Sequence, residues 1–76
     1  MIKARIRKVG GEYRGILISE TPAGSNLLNS LGPEPYLDFS DRLAAKTTLT
    51  PPEAKTILKE VFGPYGINEF QLDMVQ

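Results

Sequence analysis

The chain contains no histidine, no cysteine and no tryptophan, and its 9 basic and 9 acidic residues cancel to a formal net charge of zero. Each absence closes a class of function. Without Cys or His there is no Cys/His zinc site, no His-ligated haem, no Ser-His or Cys-His nucleophile pair and no disulfide. With zero net charge, no whole-molecule field draws in nucleic acid or an anionic membrane. No hydrophobic run approaches the roughly 18 residues that span a bilayer. The longest such run is Ile16-Leu17-Ile18, and the opening residues Met1-Ile2-Lys3-Ala4-Arg5 alternate charge instead of forming a signal-peptide stretch. The composition reads as that of a soluble, cytoplasmic protein.

What is present suits one small domain, residues 1–76. The apolar share of 41% supports one core but leaves little chain for an enclosed catalytic pocket. The expectation is therefore a protein that is not an enzyme and takes no cofactor and no metal. Glu34, Asp38 and Asp41 are the closest approach to an oxygen-ligand cluster, but their spacing matches no EF-hand loop. Turn and capping roles suit Asp38 and Asp41 better. Thr21 to Gly24 lacks the Gly-Lys-Ser/Thr ending of a phosphate loop.

Residues 2–9 alternate Ile2, Ala4 and Ile6 with Lys3, Arg5 and Arg7, the period-two signature of a strand with one apolar and one basic face. Gly10-Gly11 tolerates positive φ and suits a hairpin turn into a second strand over 13–19. A two-residue loop would set Arg7 opposite Arg14, a like-charge pair. A three-residue loop, Gly10-Gly11-Glu12, pairs Ile6 with Ile16 and Ala4 with Ile18 and keeps the apolar face whole, so that register is predicted. Arg7-Lys8-Val9-Gly10 followed by Gly15-Ile16-Leu17-Ile18 resembles the start of swapped-hairpin transcription factors of the AbrB and MazE kind. The proline that usually follows their second strand is Ser19 here, and nothing after residue 32 fits, so no family is assigned.

Residues 20–35 hold three prolines and two glycines and read as a long loop with a helical turn or two capped by Ser25. Over 36–49, Leu43, Ala45, Thr47 and Leu49 alternate, and Thr47-Thr48 favour one or two middle strands over a helical turn begun by Ser40. The clearest local signal is a helix at about 51–62. Thr50 and Glu53 have capping-box spacing, Pro51 stands at the first helical position, and Ala54, Ile57, Leu58, Val61 and Phe62 form one apolar face. Gly63-Pro64 is expected to end it. Phe70, Leu72 and Met74 then mark a closing strand. The predicted fold is α+β: a small, mainly antiparallel sheet with one amphipathic helix on one face.

The zero charge is a cancellation. Residues 1–15 sum to +4, through Lys3, Arg5, Arg7, Lys8 and Arg14 against Glu12, and the remainder sums to −4. Two surfaces follow as candidates. The loop at 20–35 offers Leu27, Leu28 and Leu31 as apolar anchors flanked by Ser25, Asn26 and Asn29; the alternative is that these leucines close one end of the core. The basic hairpin offers Lys3, Arg5, Arg7, Lys8 and Arg14 to a protein or a nucleic acid. Its alternative is a solvated face, or a ladder in which Glu69 and Asp73 neutralise it from the last strand. The leading expectation is a small non-enzymatic regulator, inhibitor or accessory subunit, of the kind phages and mobile elements also encode, docking on a larger protein. Nucleic-acid binding by the hairpin is the second, and homodimerisation through a strand edge is a further association open to so small a sheet.

Overall fold

The computed structural model describes residues 1–75. Its elements run β1 (Ile2–Val9), β2 (Glu12–Ser19), α1 (Pro22–Ser30), α2 (Glu34–Ala44), α3 (Pro51–Phe62) and β3 (Phe70–Val75). The sheet has three strands in the order β2-β1-β3, with β1 antiparallel to β2 and parallel to β3. The α+β class holds, but the sheet is mixed, no middle strand forms, and three helices rather than one cover it. The parallel pair follows from connectivity: β2 ends and β3 begins beside Ile2, at one end of the sheet, and α1 to α3 carry the chain across β1 between them. No helix of the described residues is long and apolar enough to cross a membrane.

The hairpin takes the register that sequence reasoning rejected. Gly10 and Gly11, at φ 56° and 84°, form a two-residue turn. A turn of that length with two positive φ values matches the twist of paired strands. Ile6 therefore pairs with Gly15, and Arg7 with Arg14. The one-residue shift exchanges the faces of β2. Tyr13, Gly15 and Leu17 join Ile2, Ala4 and Ile6 under the helices, while Ile16 turns outward and is 57% exposed. A second cause lies in the helix layer. A Cβ on Gly15 would stand 2.8 Å from the Phe39 ring and from Leu43 Cδ1, both fully buried. Only glycine lets α2 settle this close to β2.

Residues 22–30 are α1, not loop. Thr21, not Ser25, is the N-cap, and its hydroxyl accepts from the Gly24 amide at 3.2 Å, with Pro22 in the first turn. Residues 34–44 are α2, not strand. Pro35, Phe39 and Leu43 recur every four residues and are buried. Arg42 meets Asp38 one turn away at 3.0 Å. The threonines that suggested a strand lie beyond the helix, in the 45–50 connection.

The helix α3 has the predicted bounds, capping box and apolar face. The Thr50 hydroxyl and amide and the Lys46 ammonium all donate to Glu53, which hold its carboxyl below the usual range. As expected, the α-helix ends at Phe62, just before Gly63-Pro64. The helix tightens into a 3₁₀ turn over Gly63–Tyr65, and Gly66, at φ 87°, ends it. Phe62 is the centre of the core, with ring centroids 5.5 Å from Phe39, 5.6 Å from Tyr36 and 6.0 Å from Phe70. Burial pushes the Tyr36 phenol up, and its hydroxyl donates to the Leu28 carbonyl at 2.9 Å, tying α2 to α1.

Gly15→Ala should lower the unfolding free energy by about 1–3 kcal/mol, since the added methyl has no room against two packed side chains. Urea denaturation measures this, and an unchanged midpoint would mean that α2 does not sit on Gly15.

Candidate binding face

All three helices pack on one side of the sheet, and the other side is open. Paired residues share a face, so the open face can be read row by row across β2, β1 and β3. The rows are Ile18–Lys3–Gln71, Ile16–Arg5–Asp73, Arg14–Arg7–Val75 and, at the turn, Glu12–Val9. Lys3, Arg5, Arg7 and Arg14 therefore share this face with two acids, Glu12 and Asp73. Lys8 does not belong to it. It faces the helices, donates to the Thr47 carbonyl at 3.3 Å and lies 5.2 Å above the Tyr13 ring. With Tyr13, whose hydroxyl accepts from the Leu49 amide at 3.2 Å, Lys8 fastens the 45–50 connection to the hairpin.

The two acids expected to neutralise the basic strand divide. Asp73 stands beside Arg5 and accepts from its Nε at 3.1 Å. Glu69 precedes β3, is exposed and forms no ion pair among the described residues. Of the four arginines, Arg5 and Arg42 each hold a carboxylate, Arg42 taking both Asp38 and Glu60. Arg7 and Arg14 hold none among the described residues, and they stand directly opposite each other. They line a shallow depression of about 310 Å³ with Arg5, Val9, Gly15 and Ile16. Lys3 also forms no ion pair among the described residues, but it shares a neighbouring depression with Glu20.

Apolar side chains are interleaved with these cations. Ile16 is 57% exposed, Val75 48% and Val9 39%. No aromatic ring joins them. Tyr13 faces the helices, Tyr36, Phe39, Phe62 and Phe70 belong to the core cluster, and Tyr65 lies on the turn after α3.

The α1 residues divide differently. Leu28 is buried and Leu31 packs against the core, so both are structural. Leu27 is 39% exposed beside exposed Asn26 and Asn29, and Ser25 is half-buried. A groove of about 480 Å³ runs between α2 and α3, but its rim charges are already paired, Arg42 with Glu60 and Lys46 with Glu53. Glu34, Asp38 and Asp41 follow one side of α2, and no metal-binding group of three acids forms among the described residues.

No protein-family model, curated protein or solved structure matches this chain. Function is therefore read from the face itself. Sequence reasoning found its cations but placed Ile16 and Ile18 in the core, and the signal that would have corrected this is Gly15, a strand glycine opposite a buried isoleucine.

Like charges opposed across a ladder destabilise it. Arg14→Glu should raise the unfolding free energy by about 0.3–1 kcal/mol, with Arg14→Gln giving a smaller gain. Thermal melts at low and high salt check this: the gain should shrink as salt screens it. A loss of stability at low salt would contradict the arrangement.

Proposed function

We propose that this chain is a small non-enzymatic interaction module that docks on a larger protein through the open face of its sheet, as a regulator, inhibitor or accessory subunit. The supporting observation is the combination of Ile16, Val9 and Val75, exposed on the same face, with Lys3, Arg7 and Arg14 interleaved among them and without ion pairs among the described residues. Exposed apolar area supplies affinity when covered, and surrounding charge orients the approach. A soluble cytoplasmic setting accords with this reading.

Nucleic-acid binding is the second reading, favoured by Lys3, Arg7 and Arg14 lying free of ion pairs among the described residues. Against it, single-strand recognition stacks bases on aromatic rings, and this face has none. The sheet's two edge strands, β2 and β3, whose outer sides pair with no other strand among the described residues, are where a homodimer would form.

Affinity capture from the source organism, with Ile16→Asp and Leu27→Asp beside wild type, separates these surfaces. Wild type and Leu27→Asp should retain a specific protein that Ile16→Asp loses while keeping its melting temperature. Retention by Ile16→Asp, or capture of nucleic acid alone, overturns the reading. For duplex DNA held through three cations, log affinity would fall against log salt with a slope of about −2.7.

A further inference from the structure

We infer that Arg7 and Arg14 together form a carboxylate clamp that receives an acidic side chain from an extended segment of the docking partner; this rests on the open face being the docking surface. Directly opposed residues of an antiparallel pair have Cβ atoms about 4.5–5.5 Å apart. The two guanidinium groups therefore rise from one side of the sheet within reach of a single ligand. Each presents N–H donors in a planar fork suited to a carboxylate.

Three observations point to an external partner. The chain's other two arginines already hold carboxylates, Arg5 that of Asp73 and Arg42 those of Asp38 and Glu60. Glu12, on the same face, lies two residues along β2 from Arg14 and pairs in register with Val9, without an ion pair to either arginine. Finally, the arginine pair borders a depression of about 310 Å³ that Val9 and Ile16 also line. A bound carboxylate would cancel the like-charge opposition, and covering the apolar neighbours would remove the water that weakens the pairing.

The apolar border selects the source of the anion. An extended peptide with an acidic side chain at one position and an apolar one two residues on presents both on one face, and can place a carboxylate on the arginines and an aliphatic group on Ile16 or Val75. A phosphodiester backbone has nothing to place there, and its bases meet no aromatic ring on this face.

The test uses three probes: a synthetic peptide whose every second residue is glutamate or valine in turn, with serine between them so that both types share one face, its glutamine-for-glutamate counterpart, and a short duplex DNA. Each is titrated into the labelled full chain and followed by amide and arginine Nε–H NMR shifts. The glutamate peptide should perturb Arg7, Arg14 and Ile16 first. Arg7→Gln plus Arg14→Gln should weaken it about tenfold or more, the loss expected for two charged hydrogen-bonding partners. Arg7→Lys should recover only part of the binding, because a point charge lacks the fork. Equal binding of the glutamine peptide, no perturbation at these residues, or tighter arginine-dependent binding of the DNA overturns the clamp. The capture experiment separates the two levels. If Ile16→Asp loses the partner and the double glutamine variant keeps it, the face docks without the clamp. If Ile16→Asp keeps it, the docking reading itself fails.

Discussion

The pairing of β1 with β2 decides which residues this protein buries and which it presents. Gly10 and Gly11 at positive φ close the hairpin in two residues, and every later feature depends on that count. It places Gly15 opposite Ile6, leaving space for Phe39 and Leu43. It also turns Ile16 away from the core and opposes Arg7 to Arg14. One more residue in the loop would have reversed β2, buried Ile16 and Ile18, and brought Gly15 to the outside. The exposed isoleucine and the opposed arginines thus share one cause with the tight packing of α2.

The helix layer fixes the other side. Phe62 joins α3 to α2 and β3 through three ring contacts, and Tyr36 fastens α2 to α1. With this side filled, β3 enters parallel to β1 and brings Asp73 level with Arg5. That single ion pair neutralises the middle of the basic strand and leaves the end near the turn charged. The zero net charge of the chain is therefore divided in space: an excess of cations on the open face is offset by an excess of acids on the helices and connections.

Much of this was legible in the sequence, and each miss has a physical reason. The period-two strands and the capping box of α3 are local patterns, and they appear where expected. The helix α2 carried its own periodicity, Pro35, Phe39 and Leu43, but its N-cap is Pro33, with no side-chain capping bond to announce it. The threonines just past its end outweighed that pattern. Thr21-Pro22 was a stronger helix start than Ser25, as a capping residue followed by a proline. The register was decided by a non-local fact, the approach of a helix twenty and more residues away in sequence, which no strand-level rule contains. For the candidate face, the cations were legible one by one. Which of them would find acids, and which apolar residues would stand among them, followed only from the register.

Because the chain has no native cysteine, its register can be read by cross-linking. Arg7→Cys plus Arg14→Cys should oxidise to an intramolecular disulfide in the folded protein, since the Cα atoms of directly opposed strand positions lie within the separation a disulfide can bridge. Lys8→Cys plus Arg14→Cys, whose side chains lie on opposite faces of the sheet, should remain reduced under the same conditions. Rapid closure of the second pair and failure of the first would establish the three-residue loop, and the cationic, isoleucine-bearing face would not exist.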